Sequence, residues 1–124
     1  MKFITMIYIL NSTLLLLHEI ESAYEREWDI LRLPGKITGF LLFHIPIILI
    51  IFYGLLELEK LSTVGLILGI ILGTGGIIPF SVHKVFVRRK NHFNLFISNA
   101  VMYLNVPAGA TLVYLSARYF LNLA

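Results

Sequence analysis

Four stretches of this chain, 2–24, 35–56, 63–82 and 93–120, are each apolar over about the 20 residues that a helix needs to cross a bilayer. Such segments leave few ways to fold. In lipid no water completes the hydrogen bonds of the backbone, so each segment must satisfy its own peptide groups as a helix. The stretches use most of the 124 residues, which leaves no room for a separate soluble domain. The sequence therefore predicts an all-α fold: one integral membrane domain over 1–124, a four-helix transmembrane bundle with short loops. The helices are expected at about 2–28, 35–56, 63–83 and 92–120, in direct contact with the lipid bilayer.

Composition supports this. Hydrophobic residues make up 58% of the chain and charged residues 14%, far from a soluble average. Cysteine is absent, which excludes disulfides and thiolate metal sites. The net charge of +3 comes from the loops and does not suggest nucleic-acid binding. Its placement predicts topology instead. Arg26, Arg32, Lys36, Lys84, Arg88, Arg89 and Lys90 lie in the first and third loops; only Lys2, Lys60 and Arg118 lie elsewhere. That bias predicts loops 25–36 and 84–92 in the cytoplasm and both termini outside, in a cell inner membrane. Lys2 before an apolar run resembles a signal peptide, but Glu21 stands where a small residue before Ala23 is needed, so an uncleaved helix is expected.

Each apolar segment carries a histidine: His18, His44, His83 and His92. On the first helix Asn11, His18 and Glu25 are seven apart and share a stripe, with Ser22 on it and Glu21 beside it. Counting about 1.5 Å per residue, His18 lies roughly 9–15 Å and His44 roughly 12–14 Å inside the same face. Pro46 removes one backbone bond beyond His44 and frees a carbonyl near it. Segment three carries Gly65, Gly69 and Gly73 at four-residue spacing, which lets helices approach closely within the bundle or in a homo-oligomer. Segment four places Asn99 and Tyr103 on one face. The outer half is expected to be apolar apart from Asn11 and Asn105.

Ionisable groups in lipid are costly unless paired, ligated or at work. His18, Glu21 and His44 have the ligand chemistry for zinc or iron, with Asn99 and Tyr103 supporting them. Glu21, Glu25 and Glu27 are the candidate acid–base groups. The competing account is structural: His18 and Glu21 pair with each other or with Asn99 to fix helix packing. His83 and His92 flank a basic loop at headgroup level and fit an interfacial role.

His18-Glu19-Ile20-Glu21, then Glu27-Trp28 ahead of Pro34, then Phe43-His44-Ile45-Pro46 resemble a group of small, uncharacterised bacterial four-helix membrane proteins with the pattern His-Glu-x-(Asp/Glu), Glu-Trp, His-x-Pro. A looser similarity is to the His-x-x-Glu-Glu (HXXEE) membrane family, from which this chain departs at Ser22. The resemblance covers about the first third of the chain. It implies an inner-membrane protein with a polar centre at His18, Glu21, Glu27 and His44, and it carries no activity. The sequence thus supports three expectations. One is a membrane-embedded, metal-assisted hydrolase or transferase acting on a hydrophobic substrate. The others are a small proton-coupled carrier and a structural or regulatory subunit.

Overall fold

A computed structural model describes residues 2–24, 35–82 and 96–123. These form four helices: α1 (Phe3–Tyr24), α2 (Lys36–Glu59), α3 (Thr63–Val82) and α4 (Phe96–Leu123). Three contain stretches long and apolar enough to cross a membrane, at Phe3–Glu21, Lys36–Glu59 and Ala100–Asn122; α3 is apolar over the shorter Thr63–Gly75. α2 continues to Glu59, about one turn past its expected end, and α4 continues to Leu123. Both helices run through an internal proline, Pro46 and Pro107. The expected extension of α1 to residue 28 lies outside the described residues.

α1 packs on all three other helices, α3 packs most closely on α4, and α2 packs on α1 and α3. α2 is accordingly the most peripheral helix. Its buried positions are Phe40, Ile51, Gly54 and Leu58, while Leu41, Leu42, Phe43, Ile45, Leu49, Ile50, Phe52 and Leu56 are exposed. Contiguous apolar surface on that scale is unusual for a protein in water and suits contact with lipid. The hydroxyls of Thr13 and Thr74 donate to the carbonyls of Ile9 and Ile70 one turn back. Exposed hydroxyls are thereby satisfied without solvent.

Left-handed backbone brackets α2 at both ends. Gly35, at φ +88°, precedes α2, and a Cβ there would lie 2.8 Å from the Cα of Gly39. A left-handed residue is least costly as glycine. At the other end Leu61 takes φ +54°. The Leu61 amide donates to the Leu58 carbonyl (2.8 Å) and the Ser62 amide to the Glu57 carbonyl (3.2 Å). That is the bond pair that closes a helix with a left-handed residue. Ser62 then caps α3, its Oγ accepting from the Gly65 amide at 3.1 Å and donating to Glu57 Oε2 at 2.8 Å. One serine closes α2 and opens α3, and the bundle has a turn end (the 60–62 turn and both termini) and a histidine end.

The apolar core lies toward the turn end and joins Ile4, Tyr8, Ile51, Leu58, Leu66 and Leu112. The glycines of α3 are filled from within the chain. A Cβ on Gly65 would strike the backbone of Glu57 and Leu58, and one on Gly69 the Ser116 side chain. At Gly73 it would lie 2.6 Å from the Gly109 carbonyl oxygen. The α3 and α4 backbones therefore meet where Gly73 faces Gly109.

Candidate functional site

The register of α1 against α2 is antiparallel and continuous. At the turn end Lys2 Nζ donates to the Glu59 carbonyl at 2.8 Å and Thr5 Oγ1 donates to the Glu59 carboxylate. Further in, the Tyr8 hydroxyl donates to the Ile51 carbonyl at 2.7 Å. Carried on toward the histidine end, the same register brings residues near 18 and 19 of α1 level with His44. The contact that forms is Glu19 with His44: Oε2 to Nε2 is 2.5 Å.

The other ring nitrogen of His44 is also engaged. Nδ1 lies 2.7 Å from the Phe40 carbonyl oxygen, which only accepts, so Nδ1 carries a hydrogen and donates it. The carbonyl freed by Pro46 is that of Leu42, one helical turn before it; His44 instead uses the carbonyl of Phe40. The Phe40 ring packs against the imidazole with centroids 4.1 Å apart, and Phe43 meets it edge-on at 5.8 Å. Two aromatic neighbours and one carbonyl thus fix the ring, and Nε2 is left facing the carboxylate. The His44 side chain is 13% exposed and that of Glu19 28%.

This geometry defines the chemistry. With Nδ1 protonated, one more proton sits between Nε2 and Oε2. Held on nitrogen it makes an imidazolium–carboxylate pair; held on oxygen it makes an imidazole–carboxylic acid pair. Both forms are neutral overall. Gaining a second proton or losing the first would leave a net charge in apolar surroundings, which lipid and packed side chains disfavour.

The residues predicted from sequence are placed as follows. His18 is buried, 6% exposed, on the inner face of α1, and Glu21 is half-buried one turn further on. Among the described residues, no three His, Asp or Glu side chains are grouped so as to hold a metal ion. Both ring nitrogens of His44 have partners in this arrangement, the Phe40 carbonyl and the Glu19 carboxylate. Glu25, Glu27, His83 and His92 lie outside the described residues. Asn99 belongs to α4, but its side chain is outside the described set, and Tyr103 is half-exposed on the same helix. Glu19 is the residue that stripe reasoning passed over. Its signal was its place in an apolar run immediately beside His18, at the depth of His44.

Buried polar groups also occupy the middle of the bundle. Asn11 and Asn105, expected as isolated exceptions in an apolar half, are 0% and 2% exposed. Asn11 Nδ2 donates to the Leu72 carbonyl at 3.1 Å.

The chain belongs to a family of unknown function, DUF6713, whose model matches residues 4–119. No curated protein and no solved structure matches it. The site must therefore be argued from its own chemistry.

Proposed function

We propose that this is a small proton-coupled membrane carrier whose proton-exchanging site is the Glu19–His44 pair. The observation that carries the reading is the ring held by Phe40 with its second nitrogen 2.5 Å from a carboxylate, on two apolar helices. Proton gain or loss changes the charge between α1 and α2, and the contact between those helices responds. That coupling is what a carrier needs in order to link proton movement to a change of shape. The bias of basic residues toward the first and third loops supports a position for the pair near the cytoplasmic face of an inner membrane. A reporter after Ala124 should then be external, and one near Arg89 cytoplasmic.

The metal-assisted hydrolase or transferase is less well supported, because His44 has no free nitrogen in this arrangement. Elemental analysis of purified protein, with His18→Ala and His44→Ala beside it, separates the two. The carrier reading expects no stoichiometric metal that depends on either histidine. Zinc or iron bound one to one, and lost in both variants, would overturn it and restore the metal centre.

A further inference from the structure

The Glu19–His44 pair is neutral only while it holds a single proton. A proton-coupled carrier must give that proton up and take it back. In apolar surroundings this requires that another charge be exchanged at the same site. Two exchanges keep the pair neutral. A monovalent cation can replace the proton, or an anion can bind together with a second one. Exposure separates them. The His44 side chain is 13% exposed and both its ring nitrogens are engaged, whereas the Glu19 side chain is 28% exposed. The acidic partner is the more open, so a cation is the charge that can reach the pair. The ionisable neighbours agree with that sign. Glu21 is acidic and half-buried on α1, and His18 lies on the inner face. Lys36 stands about two turns away, exposed at the start of α2. α3 has no ionisable residue, and α4 has Tyr103 at this end and Arg118 at the other.

The surroundings decide which cation. An inorganic ion must trade its hydration shell for several converging oxygens. Among the described residues no three acidic or imidazole side chains are grouped to supply them. The exposed residues beside the pair are apolar: Leu17 and Ile20 next to Glu19 on α1, and Phe43 and Ile45 next to His44 on α2. A cation that carries its own apolar groups loses little hydration on leaving water, and it meets apolar surface on both helices. Phe43 adds a specific contact. Its ring is 64% exposed and stands 5.8 Å from the imidazole, so aromatic surface is open beside the pair. An aromatic face attracts a cation, and more strongly where water is absent.

We propose that the cargo exchanged for protons at Glu19–His44 is a lipophilic monovalent organic cation, an ammonium or phosphonium bearing apolar groups, which enters from the bilayer over Phe43. The proposal rests on the carrier reading and names its substrate. When the cation pairs with the Glu19 carboxylate, the proton shared by His44 Nε2 and Glu19 Oε2 leaves to water at the histidine end. His44 is then a neutral imidazole that still donates from Nδ1 to the Phe40 carbonyl. One cation enters, one proton leaves, and the charge of the site is unchanged. On the return step a proton displaces the cation. No covalent bond other than N–H and O–H is made or broken. Because binding releases a proton, affinity rises with pH, about tenfold per pH unit while the empty pair holds its proton.

The test uses the full chain in dodecyl maltoside, with radiolabelled tetraphenylphosphonium as the probe and a pH dye in weak buffer to count protons. Wild type should bind the cation saturably and release about one proton for each one bound, and Kd should fall about tenfold per pH unit. Glu19→Gln should lose binding. Phe43→Leu keeps an apolar side chain and should weaken binding about fivefold, while Phe43→Trp should bind at least as tightly as wild type. Neither Phe43 variant should move Tm, because the ring is exposed. No saturable binding in wild type, equal binding in a folded Glu19→Gln, or a Kd independent of pH would overturn the proposal. So would equal binding by Phe43→Leu, which keeps the test decisive if Glu19→Gln does not fold. A second measurement separates the cargo from the carrier reading. Phosphatidylcholine–phosphatidylglycerol vesicles with a trapped pH dye receive tetraphenylphosphonium, sodium, potassium or chloride, and proton flux is compared between wild type and Glu19→Gln. Flux that needs Glu19 is expected with tetraphenylphosphonium. If only sodium, potassium or chloride produces it, the organic cargo fails and the carrier stands. If none of the four does, both fail.

Discussion

The two ends of the bundle each tie α1 to α2 through a glutamate, and the ties differ in kind. At the turn end Glu59 receives the Thr5 hydroxyl, and its carbonyl receives the Lys2 ammonium. Glu57 is taken up by Ser62, and Ser62 also caps α3. The donors at this end are the Thr5 and Ser62 hydroxyls and the Lys2 ammonium. At the histidine end Glu19 faces an imidazole, the one side chain whose ordinary titration falls near neutral pH. The same architectural link uses hydroxyl donors at one end and an imidazole at the other. A glutamate in an apolar helix is therefore informative only once its partner is known.

The predictions press on that contrast in order of size. The largest effect lies in neither end. Gly73→Leu drives a side chain into the Gly109 carbonyl, where backbone cannot yield. It should cost about 3 kcal/mol or more and abolish cooperative thermal unfolding in detergent. Survival with an unchanged Tm would show that the α3–α4 contact is looser than the backbone approach requires.

His44→Ala comes next. It strands the Glu19 carboxylate in a mostly apolar setting and should cost about 2 kcal/mol, discounted from a fully buried pair because Glu19 is partly exposed. Replacing both, as Glu19→Leu with His44→Leu, should cost less than His44→Ala alone. A double-mutant cycle in a denaturant titration measures the difference, and additive losses would mean the pair is not coupled.

Thr5→Val should be smaller, about 1 kcal/mol, because it removes one neutral donor from Glu59. Ser62→Ala should cost about 1 kcal/mol through the lost cap. If either exceeds His44→Ala, the ranking of the two ends is reversed. The smallest effect is expected from Glu21→Gln, within about 0.5 kcal/mol. A large loss of stability or flux there would return Glu21 to the centre of the site.

The sequence made some of this legible and left the rest to the neighbours. Segment length located the helices, because bilayer thickness and backbone hydrogen bonding allow little else. The α1 stripe correctly marked Asn11 and His18 as inward. Depth was also readable: rise per residue is a constant of the helix, and matched depths put His18 level with His44. The angular position was not readable. Glu19 is turned about 100° from His18. Which of the two meets His44 depends on where α2 stands around α1, and no periodicity within one helix contains that. The same gap hid the middle of the bundle. Asn11 and Asn105 looked like separate polar residues in an apolar half, and only the meeting of Gly73 with Gly109 draws α4 close enough to bury both.

The central claim is that His44 and Glu19 share a proton while Phe40 holds the ring, and nitrogen-15 NMR of the histidine rings tests it most directly. Across a pH titration of the protein in lipid, His44 Nδ1 should remain protonated throughout. The Nε2 signal should sit between the free imidazole and imidazolium values and should move to one of them in Glu19→Gln. A His44 ring that switches tautomer freely, or whose Nε2 signal is identical in wild type and Glu19→Gln at every pH, would contradict the account.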